Sequence, residues 1–100
     1  MSLSFIDHIA VETSDVEKAV QWYAQNFKCQ IKYQDRTWAM ILFDNISLAL
    51  VTPGQHPPHF AVVDSSVKEN ENSKMHRDGI YYLYDHDVDN NVIEKIHRKS

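Results

Sequence analysis

The sequence predicts an α+β domain made of two related modules of βαβββ type, the second of them shortened. Three observations lead to this fold class. Short apolar strands alternate with turn residues, an amphipathic helix follows the first strand, and the strand–helix–strand pattern begins again after a proline-rich segment. We therefore expect one domain over residues 1–100, with module one at about 4–52, a linker at 53–58 and module two at about 59–98.

The first module begins with an apolar, β-branched strand at 5–11. Ser14 and Glu17 have the spacing of a capping box, which predicts a helix from about Asp15 to Asn26. An apolar stripe at three- and four-residue steps supports this helix. Three more strands are expected at 28–34, 38–43 and 46–51, with Asp44-Asn45 as the tight turn between the last two.

The second module follows a linker that contains three prolines and Gly54, residues that cannot continue a strand ladder. Strands are predicted at 59–63, 79–85 and 91–97. The polar segment 64–76, with only Val67 and Met75 as apolar anchors, predicts a short or poorly formed helix. This order has one strand fewer than module one, which indicates an imperfect internal duplication.

Composition narrows the class of protein. An apolar fraction of 43% and a charged fraction of 24% are typical of a soluble globular domain. The net charge of −4 argues against nucleic acid as a partner. Cys29 is the only cysteine, which excludes an internal disulfide and suits the cytoplasm. We expect no membrane span and no signal peptide, because no apolar run of the required length occurs.

Two histidines and one glutamate fall on three separate predicted strands: His8, His59 and Glu94. Two imidazoles and one carboxylate are enough to hold a catalytic divalent metal and to leave positions open for substrate. Each residue also has a simpler interpretation. His8 would be a half-buried histidine bonded to a backbone carbonyl, His59 the first residue of a strand, and Glu94 a charge on the solvent face.

Several segments resemble the vicinal oxygen chelate superfamily, which contains glyoxalase I, bleomycin-resistance proteins, extradiol dioxygenases and fosfomycin-resistance transferases. The opening strand Phe5-Ile6-Asp7-His8-Ile9-Ala10-Val11 and the second-module strand His59-Phe60-Ala61-Val62 resemble its module openings. Asp15 and Trp22-Tyr23 lie where its first helix carries Asp and Phe-Tyr. The segment 87–94 resembles its ending Asp-Pro-Asp-Gly-Asn-x-Ile-Glu, with Val88 for the proline and Asn90 for the glycine.

The resemblance implies an open, cup-shaped mixed sheet around a metal, as in glyoxalases. It assigns ligand positions to His8, to a residue of 46–51, to His59 and to Glu94. Ser47 and Ala49 occupy the second position, and neither is a useful ligand. The remaining His-His-Glu set is the one used by extradiol dioxygenases and fosfomycin-resistance transferases. Fe, Mn, Ni and Zn all suit it, and the sequence does not choose among them.

Two functions of different class follow from the resemblance. The first is a small divalent-metal-dependent enzyme that chelates vicinal oxygens of a small-molecule substrate, as a lyase or isomerase, a dioxygenase or a thiol transferase. The second is a metal-free protein that sequesters a small molecule, as bleomycin-resistance proteins do, and the lost ligand at Ser47 or Ala49 favours it. A degenerate module kept for oligomerisation or regulation is a third. A homodimer is expected in each case, with His8 within its own site or reaching that of the partner.

Other patterns have simpler explanations. The acidic turn that begins at Asp85 is not an EF-hand loop, because Asn90 and Ile96 stand where that loop needs glycine and glutamate. We expect a solvated hairpin turn there. The aromatic residues of both modules are expected in the core or at a dimer interface rather than in a ligand pocket: Trp22, Tyr23, Trp38, Tyr81 and Tyr82.

Overall fold

Eight strands and one helix form in the residues that the computed structural model describes, which are 3–54, 56–65, 67, 74–75 and 80–98. The fold class is α+β, as predicted, and most strands lie within two residues of their predicted bounds. In chain order the elements are β1 (Phe5–Glu12), α1 (Val16–Asn26), β2 (Gln30–Gln34), β3 (Trp38–Leu42), β4 (Ser47–Val51), β5 (His59–Val63), β6 (Lys74–Met75), β7 (Ile80–His86) and β8 (Val92–Arg98).

The N-terminus of α1 corrects one prediction. Asp15, rather than Ser14, is the N-cap, with extended backbone at φ −148° and ψ 100°. Its Oδ1 accepts a hydrogen bond of 3.1 Å from the backbone N–H of Lys18. The prediction of a capping box formed by Ser14 and Glu17 is therefore wrong, because the N-cap lies one residue later. A carboxylate at this place both accepts the bond and interacts favourably with the positive end of the helix dipole, so Asp15 is the better cap.

The segment after β5 corrects a second prediction. Lys74 and Met75 form a strand that pairs with Tyr82 and Tyr81 of β7, so the helix predicted over 64–76 is wrong at these two residues. Their conformation depends on a partner strand further along the chain, which a local pattern does not reveal. Val67 is buried, as the prediction of an apolar anchor required. Residues 66, 68–73 and 76–79 lie outside the described part of the chain.

The chain divides into two compact units, and the division falls inside β1. We call residues 8–58 the N-terminal unit, and residues 1–7 with 59–100 the C-terminal unit. In the N-terminal unit the strands are ordered β2-β3-β4-β1. β3 is antiparallel to both β2 and β4, while β1 is parallel to β4. The register places Ala10 of β1 and Met40 of β3 on either side of Ala49.

The helix α1 covers one face of the sheet in the N-terminal unit. Val16 and Val20 pack against Ala39, Ile41 and Leu50, and all five are buried. Because side chains alternate along a strand, the opposite face carries the intervening residues. That face contains His8, Ser47, Ala49, Met40 and Trp38, as the paired positions of β1, β3 and β4 require.

In the C-terminal unit the strands are ordered β5-β8-β7-β6. β8 is parallel to β5 and antiparallel to β7. The turn between β7 and β8 is exposed and is closed by Asp87, as expected for a solvated hairpin. Its Oδ1 accepts from the backbone N–H groups of Asp89 and Asn91, each at 2.9 Å. Asn90 has φ +65°, which explains why asparagine is tolerated where the family pattern has glycine.

The hairpin between β2 and β3 depends on one exposed carboxylate. Asp35 accepts hydrogen bonds from the Tyr33 hydroxyl at 2.6 Å, from the backbone N–H of Thr37 at 2.7 Å and from that of Trp38 at 3.0 Å. These bonds, that of Tyr33 above all, lower the pKa of Asp35 from 3.8 to about 2. The charged carboxylate therefore holds the turn, and it also fixes Tyr33 beside Trp38.

We predict that Asp35→Asn destabilises the protein at neutral pH and that this difference disappears in acid. A lowered native pKa gives stability that is present above the unfolded-state value and is lost as pH falls through the folded value. The difference in urea midpoint between wild type and Asp35→Asn should thus be constant above about pH 4. It should shrink to zero as the pH falls from 3.8 to about 2. A gap independent of pH over that range would show that the charge does not stabilise the turn.

Candidate functional site

In the described part of the chain, Glu94 is the one charged residue that is buried, with 3% of its surface exposed. It lies on β8, opposite Ala61 of β5 and opposite Tyr84 of β7. The interpretation of Glu94 as a charge on the solvent face is therefore wrong. Burying a carboxylate is costly unless neighbouring groups replace the water it loses, so the neighbours of Glu94 define the candidate site.

His59 supplies the first of these neighbours. It opens β5 and lies two residues before Ala61, on the same face as Glu94. The Nε2 of His59 is 3.4 Å from Oε1 of Glu94, and the two side chains are only 5% and 4% exposed. Hydrogen bonds between nitrogen and oxygen are usually about 2.7–3.2 Å long. Two ligand atoms that each lie about 2.1 Å from a tetrahedrally coordinated metal ion are roughly 3.4 Å apart. The separation between Nε2 and Oε1 therefore fits two adjacent ligands of one metal ion.

Tyr84 supplies the second neighbour. Its hydroxyl donates a hydrogen bond to the Glu94 carboxylate. Its ring meets the His59 ring edge to face, with centroids 5.4 Å apart and planes at 76°. Burial raises the pKa of the Tyr84 phenol well above its usual range, and the negative charge of Glu94 raises it further. Tyr84 is consequently a protonated donor at neutral pH.

Sequence analysis missed Tyr84, although the predicted turn contained a usable signal. Tyr84 and Glu94 lie at equal distances on either side of Asp89, the centre of the hairpin turn. Residues equidistant from a hairpin turn pair across the two strands and share a face. Counting outward from the turn would have placed the tyrosine beside the proposed ligand.

His8 belongs to the N-terminal unit, where it is half-buried and pairs with Ser47 across β1 and β4. Ala49 follows Ser47 by two residues and lies on the same face. The strand Ser47–Val51 contains no carboxylate and no imidazole. The position to which the family resemblance assigned another ligand therefore offers only a hydroxyl and a methyl group.

Two of the aromatic residues that were expected in the core or at a dimer interface are exposed in this chain. Trp22 is 53% exposed and Trp38 is 37% exposed, so neither belongs to the core. Trp38 stacks on Tyr33 with ring centroids 4.5 Å apart and planes at 27°. Trp38 and Tyr33 lie on the face that carries His8, since Met40 pairs with both Tyr33 and Ala49. Tyr23 does pack against the core, as expected.

Comparisons with solved structures identify the fold. A glyoxalase/bleomycin resistance protein/dioxygenase superfamily member from Vibrio splendidus 12B01 is 9% identical, with a TM-score of 0.71 over 95% of this chain and 99% of its own. A hypothetical protein from Bacillus halodurans C-125 is 13% identical, with a TM-score of 0.78 over 99% of this chain and 97% of its own. Methylmalonyl-CoA epimerase from Streptomyces coelicolor, in complex with 2-nitronate-propionyl-CoA, is 15% identical. Its TM-score is 0.74 over 99% of this chain and 97% of its own.

This chain has the vicinal oxygen chelate fold. The resemblance drawn from the sequence is thereby confirmed at the level of fold. No protein-family model matches the sequence, and a search of curated proteins found no significant match. In the described part of the chain, no helix is both long and apolar enough to cross a membrane.

We predict that the polar cluster of His59, Glu94 and Tyr84 does not stabilise the metal-free fold. The triple variant His59→Leu, Glu94→Leu, Tyr84→Phe replaces it with apolar groups of similar size. Such replacements of buried ion pairs are often neutral or stabilising by about 1–4 kcal/mol. Urea unfolding in a chelating buffer should show the triple variant at least as stable as wild type. A loss of more than about 3 kcal/mol, the usual result of breaking such a pair, would show that the cluster holds the fold together.

Proposed function

We propose that this protein is a divalent-metal-dependent enzyme that acts on a small molecule with two adjacent oxygens, and that His8, His59 and Glu94 hold the metal. The observation that carries this proposal is the buried His59–Glu94 pair, whose donor atoms are 3.4 Å apart. The bound ion would supply Lewis acidity, which stabilises negative charge on a substrate oxygen. The near-complete burial of the two side chains would keep competing water away from their donor atoms.

The donor set supports a catalytic rather than a structural metal. Two imidazoles and one carboxylate leave coordination positions open, which a substrate with vicinal oxygens can fill. Neither Ser47 nor Ala49 closes a further position. The set accepts Fe, Mn, Ni or Zn. We infer a reaction of the lyase or isomerase, dioxygenase or thiol-transfer class.

The fold comparison suggests which compounds to test first. The aligned Streptomyces coelicolor epimerase was solved with a CoA ester bound. A CoA ester with a carboxylate beside its thioester carbonyl offers two oxygens for chelation and an acidic C–H between them. We propose such esters, together with catechols and thiol-plus-epoxide pairs, as the first substrates for screening with each metal.

A second candidate function is metal-free binding of a small molecule. Two observations favour it. The strand Ser47–Val51 lacks a ligand, and the exposed Tyr33–Trp38 stack offers a flat aromatic surface on the face that carries His8. Planar or cationic compounds bind well to such surfaces. In this case wild type would take up no divalent metal, and metal-free protein would bind an aromatic or cationic compound.

We predict one divalent ion per chain in wild type and at least a roughly 100-fold loss of affinity in His8→Ala, His59→Ala and Glu94→Ala, since even the loss of a hydrogen bond to a metal ligand costs about 10–100-fold. Elemental analysis of untagged protein and titration against a competing chelator would measure this. His86→Ala is the matched control, because His86 is exposed at the end of β7. Retained metal in His8→Ala would remove His8 from the set, and no uptake by wild type would favour the binding function.

We further propose that the protein is a homodimer. The edge strand β2 pairs only with β3 among the described strands, and all five of its residues are exposed. Phe5 and Ile6 are also exposed, by 63% and 47%. Exposed edges and apolar side chains of this kind favour association. Light scattering at micromolar concentration should give twice the mass of one chain, and the mass of one chain would contradict the proposal.

The same dimer allows a test of whether its sites are shared. Mixing His8→Ala with Glu94→Ala chains and letting the subunits exchange would rebuild a complete ligand set only if His8 acts in the site of the partner. Metal binding restored by mixing would therefore assign His8 to the partner's site. Metal binding that stays absent would place the three ligands within one chain.

A further inference from the structure

We propose that Tyr84 is a positioning residue that orients the Glu94 carboxylate for metal binding, an inference that rests on the function proposed above. Tyr84 contacts both Glu94 and His59, the former through its hydroxyl and the latter through its ring, which meets the imidazole edge to face. These two contacts use different parts of the same side chain, so they can be separated by experiment.

The strand order explains how one side chain reaches both groups. Tyr84 is on β7 and His59 is on β5, and β8 with Glu94 runs between them. Strands two apart in a sheet are separated by about 9.6 Å. The side chains of Tyr84 and His59 must therefore lean toward each other across β8 for their rings to come within 5.4 Å. The register that pairs Tyr84 with Glu94 puts it on the required face.

The burial of Glu94 makes this hydrogen bond important. With a side chain only 4% exposed, the carboxylate has almost no access to solvent water that could orient it. The phenol then holds the carboxylate so that Oε1 remains near the Nε2 of His59. Hydrogen bonds to metal-ligating groups fix their orientation, and losing one costs about 10–100-fold in metal affinity. Tyr84→Phe removes the hydroxyl and keeps the ring that packs on His59.

The experiment compares Co²⁺ affinity and the visible spectrum of the Co²⁺ complex in wild type, Tyr84→Phe and Tyr81→Phe. Tyr81 is the matched control, because it pairs with His97 on the opposite face of the same strands. We expect affinity about 10–100-fold weaker in Tyr84→Phe, with a shifted absorption band, and wild-type behaviour in Tyr81→Phe. Urea unfolding of the metal-free proteins measures separately the stability that is lost with this hydrogen bond. The shifted absorption band of the folded Tyr84→Phe protein is the signature that a purely structural role for the hydroxyl would not give.

The outcomes separate this inference from the proposed function. If wild type binds no Co²⁺, both fail. If wild type binds it and Tyr84→Phe binds equally well, the metal site stands and the positioning role is overturned. Loss of the fold in Tyr84→Phe would assign the hydroxyl a structural role and would also overturn it. In a Glu94→Ala background, Tyr84→Phe should have no further effect on affinity, because Tyr84 acts through the side chain of Glu94; a further loss would overturn the positioning role.

Discussion

A buried carboxylate is stable within a sheet only when the neighbouring strands provide groups that replace its water, and β8 meets this requirement on both sides. Glu94 has His59 on the β5 side and Tyr84 on the β7 side. Both arrive through strand register, since Ala61 and Tyr84 are the residues paired with Glu94. A slip of either neighbouring strand by one residue would turn its side chains to the other face. The pairing of β8 is thus the constraint on which the site depends.

The N-terminal unit reaches its arrangement by the same alternation. One face of its sheet is closed by α1, whose buried side chains pack on Ala39, Ile41 and Leu50. The residues between these positions are left on the other face, and His8 of β1 is among them. Because Val11 packs toward the helix side, a histidine three residues earlier points away from it. The apolar core therefore determines which face presents the imidazole.

The sequence predicts the parts of this structure that depend on local pattern. The strand His59–Val63 has its predicted bounds, and the turn at Asn90 has the positive φ that asparagine tolerates. The parts that depend on distant partners are not predictable in this way. Lys74 and Met75 are extended because β7 pairs with them, and Tyr84 matters because β8 places Glu94 opposite it. Asp15 displaces Ser14 as the cap because two adjacent residues can both cap, and only their geometry decides.

The candidate ligands His59 and Glu94 were predictable from the sequence as residue types on strands, whereas their burial and separation were not. An imidazole at the first position of a strand has the same local pattern whether it faces solvent or a carboxylate. The difference arises from β5 lying parallel to β8 with Ala61 opposite Glu94. Trp22, which was expected in the core or at a dimer interface, is exposed on the helix, and its residue type alone does not reveal this.

Glu94 and Lys95 are adjacent on β8 and show two different uses of charge. Lys95 faces the opposite side of the sheet and pairs with Asp85 at 3.0 Å, with side chains 35% and 51% exposed. An exposed ion pair of this kind loses little hydration and contributes little to the stability of the fold. Glu94 is placed where its charge is expensive, beside a buried imidazole and a phenol, while the rest of the core is Ala, Val, Ile and Leu. Replacing a buried ion pair with apolar residues of similar size is often neutral or stabilising, so we expect the fold itself not to require this charge. A costly charge that the fold does not need is typical of a site that is kept for its chemistry.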